Sequence, residues 1–223
     1  MQKWKIELHC HSAASKDSLV KVRKLIDVAR NRGIDRLAIT DHNTIEGALV
    51  AKKIDPELII IGEEILTTKG ELLAFFIQEA IPKGLEPLEA IKILREQNAF
   101  ISVSHPYDRL RHGWELEDLK EITPHIDAIE IFNARSFTSS INENAKKYAK
   151  EHNLLGTVGS DSHTLKEIGT ATQLVSMFSD RDTFKQAMKT SERIEAYSSP
   201  SVRISSTYAK LMKKFFGKDN FPI

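Results

Sequence analysis

The sequence predicts an α/β fold in which strands and helices alternate within a single domain. Six short apolar stretches rich in β-branched residues are typical of buried strands, at residues 4–8, 36–39, 58–61, 99–103, 128–132 and 155–158. Most of the gaps between them show helical periodicity, at residues 19–31, 46–53, 87–97 and 141–152. Because strand–helix–strand units favour parallel pairing, we expect these strands to run parallel.

One segment departs from this alternation. Residues 67–70 (Thr-Thr-Lys-Gly) separate two apolar runs within residues 66–76, which predicts an antiparallel hairpin. Further along, we expect a strand, a helix and a short strand at residues 171–177, 180–189 and 193–196. The chain has no internal repeat, low-complexity tract or Gly/Pro-rich linker, so we expect one domain.

Length and composition exclude several classes of protein. Of 223 residues, 41% are hydrophobic and 28% charged, which excludes a disordered or fibrous protein. The 32 basic and 31 acidic residues give a net charge of +1, so no global field attracts nucleic acid or a membrane surface. The longest apolar runs fall far short of the roughly 20 residues of a membrane span. A single cysteine and no apolar leader lead us to expect a cytoplasmic protein without disulfides.

Polar residues gather where the predicted strands end. Six strand ends carry imidazole, carboxylate or amide groups, in the segments His9-Cys10-His11, Thr40-Asp41-His42, Gly62-Glu63-Glu64, Ser104-His105, Glu130-Ile131-Phe132-Asn133 and Ser160-Asp161-Ser162-His163. The carboxyl ends of parallel barrel strands meet at one rim, where such folds build their sites. Period-two alternation turns His9 and His11 to the same face, so this pair can chelate one metal ion.

The distribution of histidine points to metal binding. Five of the eight histidines fall at these strand ends, namely His9, His11, His42, His105 and His163. A lone histidine at a strand end is more often structural than a ligand, but here five converge. Imidazole nitrogens combined with carboxylate oxygens suit Zn²⁺, Mn²⁺ or Fe²⁺. We therefore expect a centre of two or three divalent ions.

These motifs resemble those of a known family. The order and spacing of five motifs are similar to the polymerase and histidinol phosphatase (PHP) family of metal-dependent phosphoesterases: His9-x-His11-Ser12, Thr40-Asp41-His42, Gly62-x-Glu64, Ser104-His105-Pro106 and Gly159-Ser160-Asp161-Ser162-His163. The resemblance implies a distorted seven-stranded β/α barrel, a TIM-like fold, with a di- or trinuclear metal centre.

The resemblance also implies a ligand set. Each ion would have its own group: His9, His11 and Asp161 for the first, Glu64 and His105 for the second with Glu64 bridging to the first, and Asp17, His42 and His163 for the third. Glu64 is preferred to Glu63 because the family's bridging glutamate stands two residues after the glycine, here Gly62. The resemblance does not assign the remaining ligand of the second ion, because this chain has Glu130 and Asn133 where some members of the family have a histidine.

Three carboxylates are the candidate catalytic residues: Asp41, Glu64 and Asp161. Asp41 either orients a ligand histidine or handles a proton. For Asp17 the alternative to metal binding is capping of the first helix.

Three further side chains are candidates for substrate binding: Arg135, Asn133 and Lys16. Arg135 lies just beyond a strand end, where a planar guanidinium can clamp a phosphate through two hydrogen bonds. The alternative for Arg135 is a solvated loop cation.

Together these features predict hydrolysis of a phosphate ester by a hydroxide that bridges two metal ions. The expected substrate is a small phosphorylated metabolite, a nucleotide such as a nucleoside bisphosphate, or a short oligonucleotide. The branch of the family that cleaves nucleoside bisphosphates carries a helical insertion between its third and fourth motifs, whereas here Ser104 follows Glu64 by only 40 residues. One alternative is an amidohydrolase-like enzyme, which the absence of lysine in Ser104-His105-Pro106 disfavours. The other is a non-catalytic metal-binding partner domain, which the intact ligand set disfavours.

The C-terminal segment is basic and amphipathic. Residues 202–218 contain no acid, and they combine five cations with five large apolar side chains: Arg203, Lys210, Lys213, Lys214 and Lys218 with Tyr208, Leu211, Met212, Phe215 and Phe216. We expect a helix that packs its apolar side on the barrel and leaves a basic face in solvent. Contacts with a membrane surface, nucleic acid or another subunit are the alternatives. Residues 1–198 would then form the barrel and residues 199–223 an extension.

Overall fold

The computed structural model describes residues 2–217 and 220–223, apart from the side chain of Arg203. Lys218 of the predicted basic segment therefore lies outside the described residues. The chain forms one α/β domain in which seven helices accompany a nearly closed, barrel-shaped sheet. The predicted fold class is confirmed.

Nine strands form the sheet, and they are β1 (Lys3–Glu7), β2 (Arg36–Ile39), β3 (Ile59–Leu66), β4 (Glu71–Phe75), β5 (Phe100–Val103), β6 (Ala128–Asn133), β7 (Leu155–Gly159), β8 (Thr172–Ser176) and β9 (Glu192–Ile194). Their order across the sheet is β7-β6-β5-β4-β3-β2-β1-β8-β9. β1, β2 and β3 pair in parallel, as do β5, β6 and β7. The strand–helix alternation correctly predicts these two groups.

Two junctions of the sheet are antiparallel. β3 and β4 form the predicted hairpin, in which Leu66 pairs with Glu71, and β4 also pairs antiparallel with β5. β8 runs antiparallel to β1, with Trp4 opposite Val175. The sequence predicted a strand at residues 171–177 but not its direction, because a short apolar run fits either direction equally well.

A side chain closes the barrel where backbone pairing stops. β7 is the strand at one end of the sheet and β8 is the second strand from the other end, and the Gln173 amide bridges them. Val158 N donates to Gln173 Oε1 at 3.1 Å, and Gln173 Nε2 donates to Gly156 O at 3.0 Å. The buried amide of Gln173 thus supplies both bonds of a missing ladder step.

Seven helices accompany the sheet, and they are α1 (Val22–Asn31), α2 (Glu46–Ile54), α3 (Pro87–Glu96), α4 (Leu116–Ile122), α5 (Ser139–Glu151), α6 (Arg181–Met188) and α7 (Val202–Phe216). The buried face of α1 follows a spacing of three and four residues, through Val22, Leu25, Ile26 and Ala29. α4 was not predicted, because its seven residues are too short for a clear periodic signal. None of the described helices could span a membrane.

Trp114 fixes the loop after β5 against the hairpin. Its indole is buried, and a Cβ on Gly70 would come within 2.4 Å of the ring, so only glycine fits there. Trp114 Nε1 also donates to Glu71 O at 3.1 Å. The loop and the start of β4 are thereby held together at the rim.

α7 packs on the barrel through a different face from the one predicted. Ser206, Ala209 and Lys213 are buried. The large apolar side chains of the helix are 48% to 75% exposed, at Leu211, Tyr208, Phe216 and Phe215. The prediction of a packed apolar side is wrong, because the rim beneath α7 offers carbonyl groups and a guanidinium, which select polar partners.

Candidate metal centre

Nine side chains of the types that can bind a metal ion converge at the rim, five imidazoles and four carboxylates: His9, His11, His42, His105, His163, Asp17, Glu64, Glu71 and Asp161. Glu71 aside, all were predicted from the sequence. The exposed fraction is below 10% for each of them except His42.

Two of these residues adopt backbone conformations that are rare for L side chains. The φ angle is +52° at Asp161 and +22° at His105. Asp161 N donates to His9 O at 2.8 Å, and His105 N donates to Glu130 Oε2 at 2.9 Å. Strained backbone that neighbouring bonds hold in place is typical of functional sites, where the direction of a side chain matters.

The first donor group comprises His9, His11, Glu64 and Asp161. Glu64 Oε2 lies 3.3 Å from His9 Nε2 and 3.4 Å from His11 Nε2. Asp161 Oδ1 lies 3.7 Å and 3.3 Å from the same two nitrogens. Both nitrogens and Glu64 Oε2 are buried and have no hydrogen-bond partner among the described residues. Buried polar atoms arranged in this way fit a shared cation.

The second donor group lies on the other side of Glu64. His105 Nε2 is 3.2 Å from Glu64 Oε1 and 3.4 Å from Glu71 Oε2. His42 Nδ1 is 3.1 Å from Glu64 Oε2 and 3.8 Å from Glu71 Oε1. Glu71 therefore occupies the place that the sequence left open for the second ion, and the hairpin carries it there.

Glu130 and Asn133, considered for that place, have other partners. Glu130 Oε1 lies 2.9 Å from His9 Nδ1. Asn133 Nδ2 donates to Glu130 Oε2 at 3.0 Å and to Asp161 Oδ2 at 3.2 Å. Glu130 and Asn133 therefore contact the atoms of His9 and Asp161 that face away from the donor group, and these contacts orient the two side chains.

The third donor group comprises Asp17, His42 and His163. Asp17 Oδ2 lies 3.4 Å from His42 Nε2, and Asp17 Oδ1 lies 3.3 Å from His163 Nε2. Lys210 Nζ of α7 is 3.5 Å from Asp17 Oδ2. The alternative of helix capping by Asp17 is wrong, because α1 begins only at Val22.

Asp41 reaches the site through serines. Its Oδ1 accepts hydrogen bonds from Ser12 N at 2.7 Å and Ser15 Oγ at 2.8 Å. Ser15 Oγ lies 3.1 Å from His11 Nδ1. A Cβ on Gly47 would come within 2.2 Å of Asp41 Oδ2, so glycine is needed to leave room for the carboxylate. Asp41 therefore orients His11 through Ser15.

Burial and neighbouring charges have opposite effects on the pKa values of the first donor group. Burial alone would lower the pKa of His9, but the surrounding carboxylates, Glu64 foremost, hold that pKa well above its usual value. Burial alone would raise the pKa of Glu64, but His9 and His42 hold it well below its usual value. The buried imidazoles and carboxylates thus shift one another's pKa values, as groups at functional sites often do.

The pKa values of His11 and Glu71 shift in the opposite directions from those of His9 and Glu64. Burial lowers the pKa of His11 to about 3, with further lowering by His163 and His42. His11 is consequently neutral at pH 7 and keeps a lone pair for a metal ion. Burial raises the pKa of Glu71 to about 7, and the nearby charge of Glu64 adds to this.

A cavity of about 360 Å³ opens onto these groups. Four cationic side chains line it: Lys16, Arg111, Arg135 and Lys210. Phe137 and Leu110 also line it and are exposed, with exposed fractions of 52% and 78%. The lining of the cavity thus combines the carboxylates and imidazoles of the donor groups with four cations and an apolar edge.

Arg135 is at this cavity but is held tightly. Its Nε and Nη2 donate to Glu167 Oε1 and Oε2 at 2.6 Å and 3.1 Å, and its side chain is only 6% exposed. The alternative of a solvated loop cation is therefore wrong.

Arg111 was missed by the sequence reasoning. Its Nη1 donates to Asp161 Oδ2, and its Nη2 donates to Asn133 Oδ1 at 3.2 Å. The side chain is 23% exposed, more than that of Arg135. Arg111 lies in the irregular loop after β5, where no periodic pattern predicts which way a side chain points. The only sign in the sequence was that Arg111 follows the motif Ser104-His105-Pro106 by a few residues.

Comparison with known proteins agrees with this geometry. The model of the PHP domain family matches residues 7–221. An uncharacterized protein of Methanocaldococcus jannaschii is 38% identical over 145 residues, which cover 58% of this chain and 82% of the relative. A candidate metal-dependent phosphoesterase of Bifidobacterium adolescentis shares the fold with a TM-score of 0.63 at 19% identity, covering 84% of this chain and 96% of that one.

A second solved structure shares the fold over part of its length. It is a lesion-specific endonuclease of Pyrococcus furiosus, with a TM-score of 0.61 at 14% identity, covering 86% of this chain and 57% of that one. At such identities the likeness shows the fold alone. Because the family model matches nearly the whole sequence, the chain belongs to the PHP domain family.

Proposed function

We propose that the protein is a metal-dependent phosphoesterase that hydrolyses phosphate esters at the rim of its barrel. The observation that carries this proposal is the placement of Glu64, whose two carboxylate oxygens face imidazoles of different donor groups. A carboxylate in that position can hold two cations a short distance apart, as in two-metal hydrolases. Membership of the PHP domain family supports the same chemistry.

Each donor group would hold one ion. The assignments are His9, His11, Glu64 and Asp161 for the first ion, Glu64, Glu71 and His105 for the second, and Asp17, His42 and His163 for the third. The nitrogen and oxygen donors fit Mn²⁺, Fe²⁺ or Zn²⁺. Divalent ions in these places would lower the pKa of a bound water and neutralise the oxygens of a phosphate ester.

The three predicted catalytic carboxylates divide into two roles. Glu64 and Asp161 act as ligands, and Arg111 and Asn133 hold Asp161 Oδ2 so that its Oδ1 faces the first group. Asp41 is a positioning residue that acts through Ser15.

Substrate binding falls to the cations of the cavity. Arg111 is the first candidate for a phosphate contact because it is the more accessible guanidinium, and Lys16 lines the same cavity. Arg135 stays a candidate, although a phosphate would have to share its guanidinium with Glu167. Asn133 would act from behind, through Asp161.

The size and edge of the cavity favour a nucleotide or the end of a short oligonucleotide. A volume of about 360 Å³ is enough for a small phosphorylated metabolite, and the exposed ring of Phe137 offers a base a surface for stacking.

The test combines metal analysis with a substrate panel. Protein stripped by a chelator and reloaded with Mn²⁺, Fe²⁺ or Zn²⁺ is assayed on phosphomonoesters, nucleoside bisphosphates, short RNA and N-acyl amides. We expect two or three ions per chain and ion-dependent release of phosphate or nucleotide. Fewer than about one ion per chain after reloading would contradict the metal centre. Amide cleavage alone would favour the amidohydrolase alternative, and a loaded protein inactive on the whole panel would favour the partner domain.

A further inference from the structure

α7 is connected by hydrogen bonds to both loops that carry the third donor group, directly to one loop and through Arg135 to the other. One loop, residues 12–20, presents Asp17, and the other, residues 160–167, presents His163. These loops follow different strands and are far apart in the sequence. A helix that is connected to both can therefore influence the distance between Asp17 and His163.

The first contact is made by Lys213. Its side chain is only 7% exposed, and its Nζ donates to Ala13 O and Ser15 O, both at 2.5 Å. A buried ammonium group is costly to desolvate, so its bonds to backbone carbonyls define the shape of the loop that receives them. Asp17 lies two residues beyond Ser15 in that loop.

The second contact runs through Arg135 and Glu167. Arg135 Nη1 donates to Ser206 Oγ and Nη2 donates to Val202 O, both at 3.2 Å. The Glu167 carboxylate, which Arg135 grips, accepts a hydrogen bond from His163 N at 3.2 Å. The first turns of α7 are thus connected to the backbone of His163.

We infer that α7 is part of the metal centre and that Lys213 is a positioning residue for the third ion. This inference rests on the proposed third donor group. It explains why α7 turns its polar face to the barrel, since the polar face carries both contacts. It also makes α7 part of the catalytic unit, whereas the sequence predicted it as part of an extension.

The test compares two neighbouring lysines in the full-length protein. Lys213→Met removes the buried ammonium while keeping a long apolar stem, and Lys214→Met is the matched control because Lys214 is exposed on the same helix. Mn²⁺ binding is titrated and the bound ions are counted. Hydrogen exchange of residues 12–20 is measured in parallel, because it reports the loop without any assay of activity.

We expect three ions on the wild type and on Lys214→Met. On Lys213→Met we expect two tight ions, a third weakened at least tenfold, and faster exchange in residues 12–20. Retention of the first two ions shows that this variant is folded. If it does not fold, Lys213→Gln is titrated in its place with the same expectation.

The outcomes separate the inference from the proposed function. Three ions of unchanged affinity on the Lys213 variant would overturn the inference and leave the proposed function intact. A wild type that binds only two ions, with no change in Asp17→Asn, would overturn the third group and the inference while leaving two-ion hydrolysis. A wild type that binds no ions would overturn both.

Discussion

Glu64 and Glu63 are adjacent buried carboxylates with opposite environments, and replacing each by glutamine tests the bridging role. Glu64 Oε2 lies within 3.4 Å of nitrogens from His9, His11 and His42. Glu63 Oε2 accepts a hydrogen bond from Ile81 N at 2.9 Å, and its Oε1 has no hydrogen-bond partner among the described residues. The two substitutions remove the same charge from adjacent positions.

The two substitutions should have opposite effects: Glu64→Gln should weaken metal binding, whereas Glu63→Gln should stabilise the folded protein. Glu64→Gln removes a ligand from two ions, and a loss of at least tenfold to hundredfold in affinity for each corresponds to about 1.4–2.8 kcal/mol per ion. Burial raises the pKa of Glu63 from 4.5 to about 7. The ionised Glu63 side chain therefore costs about 3 kcal/mol of folding free energy.

The pH dependence follows from the direction of the Glu63 shift. Below pH 4.5 the group is protonated in both folded and unfolded chains, so Glu63→Gln changes little. Between pH 4.5 and about 7 only the unfolded chain ionises, so the wild type loses stability as the pH rises. Glu63→Gln should therefore be more stable than the wild type at pH 8, by up to about 3 kcal/mol.

The assay is chemical denaturation at pH 4 and pH 8, with metal content and phosphatase activity measured on the same preparations. We expect Glu64→Gln to lose ions and activity, and Glu63→Gln to keep both. Equal losses of activity in the two variants, or a larger loss in Glu63→Gln, would show that the bridging glutamate is wrongly assigned.

Four other predictions use the same preparations. Asp161→Asn should lower the metal content, because Asp161 Oδ1 faces both imidazoles of the first group, and elemental analysis checks this. Arg111→Lys should reduce kcat/KM by about tenfold to hundredfold, since an ammonium cannot reproduce the guanidinium fork. Arg111 also donates to Asp161, so the metal content is measured on the same sample. Arg135→Lys should reduce kcat/KM less, and the reverse order would return the phosphate contact to Arg135. Asp127→Asn should cost about 3 kcal/mol at pH 7, because three cations surround this buried carboxylate. Hydrogen bonds from Lys185, Ile101 N and Arg95 hold the pKa of Asp127 below its usual value. That difference should shrink as the pH falls through the folded-state pKa, and denaturation at pH 3 and pH 7 tests it. Removal of metal by a chelator should lower Tm, because ions that bind only the folded chain stabilise it, and readdition of Mn²⁺ should restore it.

One physical rule explains why the sequence could place most of the candidate residues at one rim. His11, His42 and His105 follow the carboxyl ends of β1, β2 and β5, and these ends lie at the same edge. Glu71 lay outside this rule, because it reaches the rim on an antiparallel strand from the opposite direction. Arg111 lay outside it as well, because it belongs to a loop without periodicity.

The face of α7 was mispredicted for a different reason. Its apolar pattern is strong, and the usual inference is that such a side is buried. The packed face is instead selected by Lys213 and Ser206, whose partners belong to loops distant in sequence. A helix pattern contains no information about the polarity of the surface on which the helix lies.

The antiparallel pairing of β1 with β8 has a consequence for biosynthesis. Lys3 pairs with Ser176, so one edge of the first strand stays uncovered until the chain has grown by more than 170 residues. At about 5–20 residues per second, that edge waits on the order of ten to thirty seconds on the ribosome. His9 and His11 are made early, yet Asp161 is made only about 150 residues later. A nascent chain that meets metal ions before then can offer only an incomplete set of ligands, so correct loading has to wait until Asp161 has been added.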